Sequence, residues 1–317
     1  KGFLLVNHVH NSLKRDDTCF FLQLERSGNE EVRLHPLPSQ QGSGVSGKVI
    51  QFLSKSSQIL ASIKGLILCR ATDKTPSEFY ICNPATKSRL PISLPTHDEY
   101  LNVHAHVMIM LLECYDEFDD YMVVHFETPT DWSSDYACKI LKPREGLWKP
   151  MEKGFCTGGK NMKFNMPVHD NGVIHFISDC GSYITKGSPY FEPYIMSYNL
   201  KNGTSTMLKL SKTARAQLMR SVSMTSSSIC LVRLKRSTFK VWILKDYKTS
   251  RWRRIMKVKT KEMGLKEKYP TITGFTVMNG ELLIFVTKNS CGLTGENYMK
   301  IKEIYENNYL KRSTFKF

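Results

Sequence analysis

Gly42, Gly47 and Lys48 stand at the spacing G-x-x-x-x-G-K, in the stretch "GSGVSGKV" (42–49). In a phosphate-binding loop that spacing lets backbone N–H groups cradle phosphates while the lysine reaches their outer oxygens. The next position would carry a hydroxyl for magnesium, and here it is Val49. Pro36 and Pro38, just upstream, are poor material for the buried strand that such a loop follows. A Gly/Ser-rich surface loop accounts for the stretch. His104 and His106, in "VHAHV", would share one face of a strand as two metal ligands can, but no Cys or carboxylate joins them at a telling spacing. Asp116, Glu117, Asp119 and Asp120 form a carboxylate run, and an exposed acidic loop is its commoner cause. No G-x-S-x-G, H-E-x-x-H or Cys–His signature occurs. No catalytic, metal or cofactor-binding residue is therefore expected, and the chain does not read as an enzyme.

The elements around these residues are short and apolar. The longest apolar runs, "VMIMLL" (107–112) and "LLIFV" (282–286), fall far short of a membrane span. The nine cysteines show no C-x-x-C spacing, and Cys69, Cys82 and Cys230 lie inside apolar strands. That usage fits reduced, buried thiols in the cytoplasm or nucleus rather than a disulfide framework. The net charge of +16 is unevenly spread. Residues 201–260 hold sixteen Lys/Arg against one acid, Asp246, whereas residues 98–135 hold ten acids and no Lys or Arg. Such segregation bears on partners and on steering, not on the fold.

One unit recurs along the chain. A short apolar strand comes first: "KGLILC" (64–69), "DYMVVHF" (120–126), "NGVIHFI" (171–177), "SSICLVR" (227–233) and "NGELLIFV" (279–286). A hairpin follows each: residues 79–94, 137–151, 194–210, 240–256 and, more weakly, 298–315. The units start about 51 to 56 residues apart, the period of a long propeller blade. Helical candidates are confined to "TARAQLM" (213–219) and "KEMGLKEK" (261–268). A four-stranded sheet of this size cannot bury both faces alone, and radial stacking of blades solves that. The expectation is an all-β chain: one β-propeller of four-stranded antiparallel sheets, with six blades and seven as the alternative. A further hairpin at residues 19–37 would complete the ring, placing the propeller at 19–317 and a linker at 1–18.

The hairpins carry a resemblance. "SIKGLILC", "FYICNPATKSRLPISLP", "NGVIHFIS", "YIMSYNLKNGTSTMLKL" and "VWILKDYKTSRWRRI" resemble the plant F-box-associated, kelch-like domain. Its most recognisable parts are Asn83-Pro84-Ala85-Thr86 with Leu94-Pro95, and the strand pair containing Val241, Trp242, Leu244–Tyr247 and Trp252. The likeness spans roughly residues 19–290, and "FLLVNHVHNSLKRDDTCFFLQ" is similar to the segment that follows the F-box in that family. The F-box itself has no counterpart in these residues. The resemblance implies the substrate-recognition subunit of a Skp–cullin–F-box ubiquitin ligase, with a Skp-type linker and a cullin engaged through the F-box. The propeller would then bind a target protein for ubiquitylation.

Two loops combine proline with interface-type aromatics: residues 128–136, with Trp132 and Tyr136, and residues 186–194, with Tyr190, Phe191 and Tyr194. Arg251, Arg253 and Arg254 lead the basic segment as candidates for contact with an acidic partner. The alternative is a basic propeller scaffold without a ubiquitin-ligase role, binding an acidic protein or nucleic acid. For nucleic acid, Trp242, Tyr247 and Trp252 would supply stacking, although the same aromatics coincide with blade-core positions. Nucleic acid is the less favoured partner, and no membrane partner is expected.

Overall fold

Alternating, β-branched and aromatic runs dictate strands, because successive side chains on a pleated backbone point to opposite faces. The computed structural model describes residues 4–10, 18–24, 34–36, 57–63, 66–71, 78–83, 86–94, 109–114, 121–129, 133–143, 145–164, 167–211, 220–225, 228–235, 237–263, 271–278, 282–288 and 294–300. Their regular elements are strands, apart from a 3-10 turn at Thr260–Met263 inside one of the expected helical segments. The other segment, 213–219, lies outside the described residues, as do Gly42–Val49, His104, His106 and Asp116–Asp120. The chain groups into two compact units: residues 1–127 with 137–151, and residues 128–136 with 152–317.

The first unit holds three antiparallel sheets. β1 (Leu4–His10), β2 (Thr18–Leu24) and β3 (Leu34–Pro36) pair in that order, so β1 falls within the segment 1–18 expected as a linker. β4 (Ser57–Ile63), β5 (Leu66–Ala71), β6 (Phe79–Asn83) and β7 (Ser88–Ile92) form a four-stranded meander. β8 (Ile109–Glu113), β9 (Tyr121–Glu127), β10 (Asp135–Leu141) and β11 (Trp148–Pro150) form another. Leu68, Phe79, Ile81 and Ile92 pack against Ile109, Leu111 and Val123 in a buried core. The side chain of Asn83 accepts a hydrogen bond from the Thr86 N–H at 3.4 Å, which is why Asn opens this turn.

In the second unit the first residues of β10, Asp135 and Tyr136, pair with β12 (Phe155–Cys156). β13 (Val168–Asp170), β14 (Val173–Ile177), β15 (Tyr194–Asn199) and β16 (Thr204–Lys209) make one four-stranded sheet. β17 (Arg220–Thr225), β18 (Ser228–Lys235), β19 (Thr238–Asp246) and β20 (Arg251–Lys259) make the next. β21 (Thr271–Met278), β22 (Leu282–Lys288) and β23 (Thr294–Lys300) complete the described strands. Val168, Ile177, Ile195, Leu208 and Leu210 meet Ile229, Leu231, Trp242 and Leu244 in a second buried core. Trp242 and Leu244 thus share the inward face, as the alternation in "KVWILKDY" requires. Asn202-Gly203 is the β15–β16 turn: Gly203 takes φ +67° and its N–H donates to Asn199 O at 2.8 Å. A side chain there would be strained by that φ and crowded against Lys153.

Each repeat unit was read from three strands, whereas the four-stranded sheets each begin one strand earlier, at β4, β8, β13 and β17. Two of those leading strands carry weak sequence signals. β13 is three residues long, and β17, "RSVSMT", is half serine and threonine.

Candidate functional site

β20 ends the sheet order β17-β18-β19-β20, with β19 on one edge. Its pleat buries Met256 and Val258 and leaves Arg251, Arg253, Arg254, Lys257 and Lys259 exposed. The neighbours Arg253 and Arg254 pair with the adjacent Ile243 and Trp242, so they project from opposite faces of the sheet, and a bulge follows them. The register steps from Arg254 opposite Trp242 to Met256 opposite Val241, leaving Ile255 as the extra residue. Among the described residues no carboxylate forms an ion pair with any of these five cations, unlike Lys139, which pairs with Glu127, and Lys149, which pairs with Glu145.

The turn before β20 aims the strand. The Asp246 carboxylate accepts from the Thr249 hydroxyl at 2.6 Å and from the Lys248 N–H at 3.0 Å. The Thr249 hydroxyl is the main reason that this carboxyl lies below the usual range, with Arg251 adding to the effect. Ser250 takes a left-handed φ of 49°, and its hydroxyl accepts from the Lys209 N–H at 3.1 Å. Two residues later, the Trp252 indole Nε1–H donates to Lys209 O at 2.9 Å.

Register also stacks cations across the whole sheet. Arg220 stands opposite Arg233, Arg233 opposite Lys240, and Lys240 opposite Lys257. Directly opposed positions on neighbouring strands sit about 5 Å apart, which brings Lys240 and Lys257 close together. Arg233 is buried, and that burial pulls its pKa down while Cys180 acts in the opposite sense.

The aromatic loops turn out differently from β20. Tyr194 is 1% exposed and begins β15; its hydroxyl donates to Thr157 O at 2.5 Å, and burial pushes its phenol pKa up. Tyr190 stacks on Tyr194 with ring centroids 5.5 Å apart, and a side chain at Gly158 would run into the Tyr190 ring. Tyr136 is half-buried, packed 5.2 Å from Phe164 and 6.4 Å from Phe155. Phe191 is partly exposed, and Trp132 lies outside the described residues. Tyr136, Tyr190 and Tyr194 therefore fasten residues 133–136 and 187–194 to the core around Phe155. Lys160 is buried, and its ammonium donates to Gly181 O at 2.5 Å and lies 5.4 Å from the Tyr183 ring centroid.

His175 carries a constellation that its sequence context, an apolar strand, did not reveal. Its Nδ1 lies 2.7 Å from Ser197 Oγ, and its Nε2 lies 3.0 Å from the Tyr247 hydroxyl. A Ser–His contact is the geometry of an activated nucleophile, but His175 is fully buried and Ser197 is 5% exposed, side by side on β14 and β15. Burial first, and His169 second, push the imidazole pKa down to about 3, so the ring is neutral at pH 7. The chain Ser197–His175–Tyr247 ties β14 and β15 to the turn after β19. The one sequence signal is a histidine at the centre of an otherwise apolar strand. Among the described residues, no three potential metal ligands come together.

Of the three aromatics proposed to stack on nucleic acid, two are taken up in packing and Tyr247 keeps an exposed ring. Trp242 is buried, Trp252 is half-buried with its N–H spent on Lys209 O, and the Tyr247 hydroxyl is held by His175.

The sequence of residues 8–299 matches the F-box associated beta propeller domain family. The chain belongs to that family. Its fold is thereby an all-β propeller built from antiparallel sheets, four of them with a four-stranded path among the described residues. No curated protein matches the chain. Similar solved structures include TolB from Acinetobacter baumannii, at 14% identity and a TM-score of 0.48, covering 96% of this chain and 61% of that one. A chain of a nidogen/laminin complex covers 96% of this F-box associated domain and 91% of its own length, at 11% identity and a TM-score of 0.46. The β-propeller domain of the trilobed protease from Pyrococcus furiosus covers 95% and 97%, at 10% identity and a TM-score of 0.44.

Proposed function

We propose that this F-box associated domain is the target-binding part of a Skp–cullin–F-box ubiquitin ligase subunit, and that it performs no chemistry of its own. In this reading it acts in the cytoplasm or nucleus and captures a protein with an acidic surface. The observation that carries the reading is the family match over residues 8–299, which relates the chain to F-box proteins. The exposed cations of β20 support the acidic partner, because complementary charge speeds encounter and rejects basic competitors. Nucleic acid is the less favoured partner, because Trp242 is buried and Trp252 half-buried, leaving Tyr247 alone of the three with an exposed ring.

The test uses the full-length protein, co-expressed with a Skp-type adaptor and a cullin. Co-purification of the adaptor, together with a target whose abundance rises under proteasome inhibition, is the expected result. Reversal of Arg251, Arg253 and Arg254 to Glu should slow target association several-fold at low salt and spare adaptor binding. A full-length protein that recruits neither adaptor nor cullin would sink the ligase reading.

A further inference from the structure

We propose that the outer edge of β20 accepts an acidic, extended segment of a partner protein as an added strand. The inference rests on the target-binding reading above and gives it a mode of recognition. Three observations converge on it.

β20 has an edge for pairing. It is nine residues long and terminal in its sheet, and among the described residues no strand pairs with its outer side. A terminal strand presents backbone N–H and C=O groups that another chain can use. The Lys259 N–H is already taken by the Glu262 carboxylate at 3.1 Å, so the usable stretch is Arg251–Val258.

The edge also selects its partner by charge. All five exposed charged side chains on β20 are cationic, and the strand contains no acid. Two copies of such an edge repel, which disfavours self-pairing through it. An acidic strand laid antiparallel would instead set carboxylates directly opposite arginine and lysine.

The sheet itself amplifies this preference. The register sets Lys240 of β19 opposite Lys257, so the cationic edge borders a further cation one strand in. The position facing Lys257 on an added fifth strand is where a carboxylate would sit against that pair of cations. The start of β20 is already held in place by Trp252 Nε1–H to Lys209 O and by Lys209 N–H to Ser250 Oγ, so little ordering is needed on binding.

The test titrates the full chain, at low and physiological salt, with a synthetic peptide of alternating Glu and Thr. Its controls are the same peptide with methylated backbone nitrogens, a Lys–Thr peptide, and single-stranded oligothymidine. The Glu–Thr peptide should bind and protect the amides of Arg251–Val258 from hydrogen exchange. Backbone methylation, or the paired change Arg254→Glu and Lys257→Glu on one face of the strand, should each weaken binding by roughly tenfold or more. The Lys–Thr peptide should not bind. Equal binding of the methylated peptide would overturn strand addition in favour of diffuse charge attraction. Preferential binding of oligothymidine would overturn the choice of a protein partner. Because adaptor binding and target capture are read separately, a full-length protein that captures its target while ignoring the peptide would sink this inference alone.

Discussion

The indole N–H of Trp252 on β20 donates to the backbone carbonyl of Lys209 at the end of β16, 2.9 Å away. The first unit repeats the arrangement: Trp148 Nε1–H on β11 donates to Ser93 O, just past β7, at 2.8 Å. In both cases a tryptophan on an outermost strand fastens to the end of the outermost strand of the preceding four-stranded sheet. The ring covers apolar core while its N–H satisfies a carbonyl that has no ladder partner. Trp→Phe at either position keeps most of the ring and removes the donor. Urea unfolding should report a loss of about 1 kcal/mol for each variant. No change in midpoint would show that water replaces the indole without cost.

Stability should fall as the medium becomes acidic. The folded-state pKa of His175 is pushed down to about 3 by burial, against 6.5 for an ordinary histidine. Below about pH 6.5 the unfolded chain binds a proton that the folded chain refuses, so stability present at neutral pH is lost progressively toward pH 3. The slope from this one group approaches about 1.4 kcal/mol per pH unit. His125, also lowered chiefly by burial, acts in the same direction. Urea midpoints at pH 7 and pH 4.5 should diverge less in His175→Gln than in the parent protein.

Tyr194→Phe separates structure from recognition. The variant leaves Thr157 O without its phenol donor in a buried site, at a cost of about 1–2 kcal/mol. Target capture measured well below the melting temperature should be unchanged. Loss of capture with an unshifted melting curve would return this loop to the binding surface.

Thiol labelling tests the packing of the core. Cys69, Cys82, Cys138 and Cys230 are buried and free, and Cys114, Cys156 and Cys180 are partly exposed. The Cys69 and Cys82 sulfurs lie 3.9 Å apart, as neighbouring thiols. In the native protein a maleimide should react with none of the four buried cysteines and with all of them after denaturation. A mass change on reduction would contradict reduced thiols.

Much of this fold was legible because a strand's side chains alternate with a period of two. "KVWILKDY" announced Trp242 and Leu244 as one face, and both enter the same core. Asn202-Gly203 announced its turn because a left-handed φ is cheapest at glycine. The leading strands β13 and β17 were not legible, because three residues are too few to show a period and two apolar residues among serine and threonine suit a loop equally well.

The functional residues divide along the same line. Exposure of Arg251, Arg253, Arg254, Lys257 and Lys259 could be anticipated, since charges in an amphipathic strand turn to solvent. The aromatics of 133–136 and 187–194 could not be assigned, because a tyrosine suits a core and an interface equally well. Only the packing of Tyr190 and Tyr136 on the elements around Phe155, and the burial of Tyr194, resolved that. The sequence by itself determined the strands, the turns, the family and the segregation of charge, since each depends on residues near one another in the chain. Tertiary structure decided which cations oppose one another and which polar groups meet. Arg220, Arg233, Lys240 and Lys257 become a row only through strand register, and Tyr247 reaches His175 across 72 residues only when the two sheets pack. Register and packing are set by the burial of whole faces, which no local stretch of sequence encodes.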